Sequence, residues 1–301
     1  MSLLVTGSIG IDTVESPSGK VVDALGGSSV YFAYAASFFG PVRLVGVVGE
    51  DCPVDFLKPL RDNPRVDLAG LEVRKGSKTF RWHGRYHDDV NQRDTVAVEL
   101  NVLAERGPDI PAAFRDSRLV FLANTHPALQ RAMLDQLHKP ELVVADTMDL
   151  WINSERAALM KLLTRLDGLV LNDSEAKLLT GESNVVAAGL EIMTLVRRFV
   201  VIKKGEHGSL LFCDGKVAAL PSYPTSRVVD PTGAGDSYAG AMMGYLAGAG
   251  DFGPANLRRA IAYGTVTASL ALEDFSLRRF LTTDRPQIEK RFGEFQELVQ
   301  F

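Results

Sequence analysis

Cysteine is almost absent from this chain: Cys52 and Cys213 are the two among 301 residues. They lie far apart and outside any C-x-x-C pair, which argues against both a disulfide framework and a cysteine zinc site. Both are expected to be reduced thiols. No apolar run approaches the roughly 18 residues of a membrane span. The N-terminus "MSLLVTGSIG" has no charged segment ahead of a sustained apolar stretch, so the expected location is the cytoplasm. Basic excess is missing as well: 33 Lys and Arg stand against 37 Asp and Glu, and no Lys/Arg-rich run offers a nucleic-acid footprint. His83, His87 and His126 are dispersed and give no metal-ligand spacing. There is no G-x-x-x-x-G-K-[ST], and "GSIG" at 7–10 falls short of the dinucleotide fingerprint, which removes two nucleotide-binding classes. With no internal repeat, low-complexity segment or long linker, residues 1–301 read as one domain.

What the chain does have is a series of short apolar runs alternating with helical patterns. "LLVTG" at Leu3, "VRLVGVVG" at Val42, "RLVFLAN" at Arg118, "LVVADT" at Leu142, "GLVLN" at Gly168, "FVVIKKG" at Phe199 and "GSLLF" at Gly208 read as strands. Strands so uniformly apolar are covered on both faces, so the fold class is α/β, a mostly parallel central sheet between helix layers. Two stretches, about 11–25 and 76–102, interleave polar residues and read as a small separate sheet. Over the carboxyl ends of the strands it would be a lid; an edge extension, or a surface pairing two copies in a homodimer, is the alternative.

"VVDPTGAGDSYAGAMMGYLAG" at 228–248 is the most informative segment. Tyr238, Met242, Tyr245, Leu246 and Ala249 follow helical spacing, so a helix starts near Gly235 or Asp236. Gly233, Ala234 and Gly235 then form its N-terminal turn, where free N–H groups and the helix dipole attract an anion. Asp236 does not suit a pure anion site. It could cap the helix, but capping leaves the Gly-Ala-Gly unexplained. In phosphoryl transfer a carboxylate takes the proton of the attacking hydroxyl while N–H donors hold the transferred group, and both parts stand here within four residues.

"DPTGAGD" resembles the D-T-x-G-A-G-D signature of the ribokinase-like, or PfkB, carbohydrate kinases. "GG" at Gly26 and Gly27, "NDSE" at Asn172–Glu175, matching the family's N-x-x-E, and "KKGEHG" at Lys203–Gly208 follow in the family's order. The resemblance spans nearly the whole chain and implies a three-layer ribokinase-like fold with a small β-sheet lid. It makes Asp236 the base and the N–H groups of Gly233, Ala234 and Gly235 the anion hole. Asp230 would order that loop, with room for a potassium ion beside it. Asn172 and Glu175 would organise the magnesium that accompanies ATP, through water; a capping box is the plain alternative for Glu175. Lys203, Gly205 and Gly208 would lie against ATP, although a tight turn between strands would use the same glycines.

For the substrate, the resemblance assigns Asp12, Gly26 and Gly27, Asp12 holding sugar hydroxyls. Asn124 and Asp146, each ending an apolar strand, are further polar candidates or loop caps. Many members of the family carry Asn four residues after the second glycine; here Tyr31 stands there, which puts a simple ribose or fructose substrate in question. Tyr31, and Phe80, Trp82 and Tyr86 on alternate positions of one strand, suit a stacked nucleoside base, or equally glue for the lid. The expected activity is ATP-dependent phosphorylation of a primary hydroxyl on a sugar or nucleoside. A sugar-phosphate kinase using Arg81, Arg85 and Arg93, and a non-catalytic sugar or nucleotide sensor, are the rivals.

Overall fold

The computed structural model describes residues 1–300. In chain order the strands are β1 (Leu3–Thr6), β2 (Gly10–Ser16), β3 (Gly19–Gly26), β4 (Val42–Gly49), β5 (Val66–Arg74), β6 (Phe80–Tyr86), β7 (Arg93–Glu99), β8 (Leu119–Leu122), β9 (Leu142–Asp146), β10 (Gly168–Asn172), β11 (Phe199–Lys203), β12 (Ser209–Cys213) and β13 (Lys216–Leu220). A nine-stranded sheet runs in the order β13-β12-β11-β10-β9-β8-β1-β4-β5. All its pairs are parallel except those made by β12 and β13.

Alternate residues of the central strands feed two cores, which is why those strands are apolar throughout. Leu3, Val5 and Val144 face one side, under the helices Ser28–Ser37, Ala234–Ala249, Pro254–Ala271 and Arg285–Leu298. Leu4, Val143 and Leu169 face the other, under Arg156–Leu163, Asp173–Thr180 and Val185–Ile192. The result is three layers. Strands β5 and β13, at the two sheet edges, escape the sequence reading because they are largely exposed or half-buried and lack a sustained apolar run.

From β1 the chain first builds outward through β4 and β5, then returns to build the other way through β8 to β11. Open α/β sheets bind ligands at such a reversal, outside the carboxyl ends of the strands. A second, four-stranded sheet, β3-β2-β6-β7, is made by the two stretches singled out in the sequence. Hydroxyls fasten it to the main body: Ser16 Oγ donates to the Val229 carbonyl at 2.7 Å, Ser18 Oγ to Val228 at 3.1 Å, and Ser276 Oγ to Leu25 at 2.5 Å. Val14, Tyr86 and Phe275 form a small core beneath it.

Candidate active site

The segment 230–236 is built around one left-handed residue. Asp230, 1% exposed, accepts the Thr232 N–H on Oδ1 at 2.8 Å. Gly233 follows at φ 75°, and a Cβ there would stand 2.3 Å from the Tyr31 ring, so neither the conformation nor the space admits a side chain. The helix Ala234–Ala249 begins at once. Ala234 N–H turns back to the Pro231 carbonyl at 3.2 Å, whereas the Gly233 and Gly235 amides have no protein acceptor among the described residues. The expected set of three anion-hole donors is therefore corrected to two free amides, because the tight turn engages the middle one.

Asp236 sits in the first turn of that helix. Burial raises its carboxyl to about 6, held from going higher by Lys203 and Arg93. Lys203 ends β11 and rests its ammonium against Gly235, 2.6 Å from where a Cβ would stand. The neighbouring strand ends add Asp146 on β9 and Asn172 on β10. Asp146 is 7% exposed, its Oδ1 is buried without a hydrogen-bond partner, and burial beside Asp236 pushes its carboxyl well above the usual range. It is no loop cap: the next helix starts at Asp149 with Met148 as its N-cap. Its signal in the sequence was position alone, the last residue of an apolar strand.

Asn172 and Glu175 form the capping box of the helix Asp173–Thr180: Glu175 N–H donates to Asn172 Oδ1 at 2.7 Å and Asn172 N–H to Glu175 Oε2 at 2.8 Å. The box fixes the rotamer and leaves Glu175 Oε1 outside it. Burial raises the Glu175 carboxyl, while Lys203 and Arg93 oppose the rise.

Asp12 faces this group from the small sheet. It is 4% exposed and fills the space over Gly26, where a Cβ would lie 1.8 Å from Oδ2. Its Oδ1 is buried and unpartnered, and burial with Asp230 and Asp236 nearby raises the carboxyl to about 8. Gly27, at φ 102°, could carry no Cβ without striking the Ser8 backbone at 2.5 Å.

Three expectations are corrected. Tyr31 is 2% exposed with its ring beneath Gly233, so it supports the turn and offers no face to a base. A helix with apolar residues on every side, "VYFAYAA", was the signal that its aromatics point inward. Asn124 spends its amide inside the protein, accepting from Trp151 Nε1 at 2.9 Å and donating to Met148 Sδ at 3.1 Å. Gly208, at φ 80° with the Leu220 carbonyl 2.0 Å from a Cβ position, makes the turn between the antiparallel strands β11 and β12, and the turn alone accounts for it. Gly205 differs: Asn91, from the β6–β7 connection, lies over it, with Oδ1 2.5 Å from a Cβ position.

Strand pairing sorts the small sheet's side chains. Asp12, Trp82 and Val98 are cross-strand partners on its inner face, and Arg93 pairs with Tyr86. Trp82 Nε1 donates to Thr95 Oγ1 at 3.3 Å, and the Arg93 guanidinium lies 5.6 Å from the indole. Arg81 and Arg85 point the other way, Arg81 to Asp23 at 3.2 Å and Arg85 to Glu15 at 2.7 Å.

A model described as pfkB family carbohydrate kinase matches residues 19–284. The chain belongs to the pfkB family. Its activity is that of a carbohydrate or nucleoside kinase. Among similar pfkB proteins, the cytidine kinase of Thermococcus kodakarensis is 31% identical over 255 residues, 82% of this chain and 88% of that one. The nucleoside kinase of Burkholderia thailandensis, solved with inosine, superposes with a TM-score of 0.79 at 20% identity, covering 97% of this chain and 98% of that one. A ribokinase II from E. coli, solved with ATP and Mg2+, gives 0.77 at 18% identity over 97% and 99% of the two chains. These structures show that the chain has the ribokinase fold. No helix among the described residues is long and apolar enough to cross a membrane.

Proposed function

We propose that this pfkB kinase phosphorylates the primary hydroxyl of a nucleoside. The observation that carries the reading is the inner face of the small sheet. Over Asp12 it presents Trp82 and Val98, while Arg81 and Arg85 are paired with carboxylates on the outer face. A phosphorylated sugar would need cations at the substrate end, and an apolar aromatic roof suits a flat base instead. Arg93, the one lid arginine turned inward, lies toward Asp236 and Glu175, at the phosphoryl end. The 31% identity to a cytidine kinase supports the same class.

In this reading the small sheet acts as the lid. The unpartnered Oδ1 of Asp12 takes the ribose hydroxyls, with Gly26 making room for the carboxylate and Gly27 for the close approach of the Ser8 backbone. Asp236 receives the proton of the attacking hydroxyl, and the free amides of Gly233 and Gly235, backed by the helix dipole and Lys203, stabilise charge on the group in flight. The described residues contain no cluster of three or more metal-ligating side chains. Magnesium accompanying the triphosphate would be held through water by Glu175 Oε1. ADP release with ATP and magnesium across nucleosides, free sugars and sugar phosphates tests the proposal: turnover confined to nucleosides supports it, and preference for a sugar phosphate would overturn it.

A further inference from the structure

The Thr232 hydroxyl donates to the Tyr86 hydroxyl at 3.2 Å, joining residues 146 positions apart in the chain. Tyr86 ends β6 on the inner face of the small sheet, its ring buried against Val14 and Phe275. Thr232 precedes the left-handed Gly233 and is already held at its N–H by Asp230. The other hydroxyl links from this sheet reach the carbonyls of Val228 and Val229, upstream of the turn. Tyr86 touches the turn itself.

We propose that Tyr86 is a positioning residue that couples seating of the small sheet to assembly of the anion hole. With the sheet down, Thr232 is clamped at backbone and side chain, and the Gly233 and Gly235 amides that follow are aimed at one point. With the sheet raised, the side-chain clamp is gone and the amides lose their common aim. The donors are then complete only when an acceptor has drawn the sheet down, which limits wasteful transfer of the γ-phosphoryl to water. The inference rests on the kinase reading above, though not on which acceptor is used.

The test compares wild type with Tyr86→Phe, Thr232→Val, the double variant and Thr232→Ser. Loss of one hydrogen bond should lower kcat/KM for ATP roughly three- to tenfold. Calorimetry with AMP-PNP and ADP, each with the acceptor that wild type phosphorylates present so that the sheet is seated, gives a readout independent of turnover. Tyr86→Phe should weaken AMP-PNP, which carries a γ-phosphate group, and leave ADP unaffected. The double variant should be no worse than either single one, and Thr232→Ser should behave as wild type. Equal weakening of AMP-PNP and ADP, or single effects that multiply in the double variant, would overturn the coupling. Wild-type turnover on sugars alone would overturn the nucleoside reading, and the AMP-PNP and ADP comparison would still decide the role of Tyr86.

Discussion

The Lys203 ammonium lies against Gly235, 2.6 Å from the point where a Cβ would stand. A cation reaching from the end of β11 and the first turn of the following long helix thus share one small space. Gly235→Ala keeps the backbone N–H and places a methyl group where the ammonium rests. The displaced atom is the far end of a flexible side chain, and alanine favours the helix by up to about 1 kcal/mol over glycine. Thermal stability should therefore hold or rise while kcat falls on the order of tenfold or more through misplacement of the cation. Parallel melting and kinetic measurements check this; a joint loss of both would mean that Gly235 is needed for packing.

Asp236 must be ionised to accept a proton, and its carboxyl stands at about 6. The value of kcat/KM should be flat above that pH and fall tenfold for each unit below it. Lys203 is the strongest influence holding this carboxyl down, so Lys203→Met should move the acidic limb to higher pH. Asp236→Asn should retain ATP binding and lose about two to four orders of magnitude in kcat. Survival of turnover within a few-fold would show that another group is the base.

Asp12 gives a stability prediction. Its carboxyl stands at about 8 in the folded protein against 3.8 when unperturbed. Below pH 3.8 both states are protonated and the raised value costs nothing. As pH rises further the unfolded chain ionises freely and the folded one does not, so stability drains away until about pH 8 and then levels. Asp12→Asn escapes this loss. Its melting advantage over wild type should grow between those limits to the order of several degrees, while its nucleoside KM rises. An advantage constant across pH would contradict the assignment.

Trp82→Ala should raise the nucleoside KM on the order of ten- to a hundredfold if the indole stacks a base, with the KM for ATP nearly unchanged. A change in the KM for ATP instead would place Trp82 with the nucleotide, and no change in either would leave it as packing beneath Arg93.

Much of the site was readable in the sequence because glycines and strand ends impose themselves locally. Gly233 and Gly235 announced a helix start, and the helix begins at Ala234. Glu175 carried two readings, cap and ligand organiser; the observed box satisfies the first without using Oε1, so the two are compatible. What could not be read was direction. Tyr31 and Trp82 both read as candidates to stack a base, yet one is buried under a turn and the other lines the inner face of a sheet. That difference is set by packing between segments far apart in the chain. The same holds for Arg93 against Arg81 and Arg85: strand alternation separates the faces, but a register shift between His83 and Gly84 governs which residue of β7 meets which of β6. The edge strands β5 and β13 were missed because a half-exposed strand lacks the apolar run that marks a central one.

The carboxylate of Asp12 occupies the volume a side chain at position 26 would need, with the clash at 1.8 Å. The two positions therefore cannot vary independently. Any mutation that adds a methyl group at 26 evicts the carboxylate, and any that removes the carboxylate leaves a hole that a methyl group could fill. Across an alignment of relatives, glycine at 26 should co-occur with Asp at 12, and lineages that have given up one should have been released from the other. The pair is expected to behave as a single inherited character, so a change of acceptor that alters one position should alter both in company.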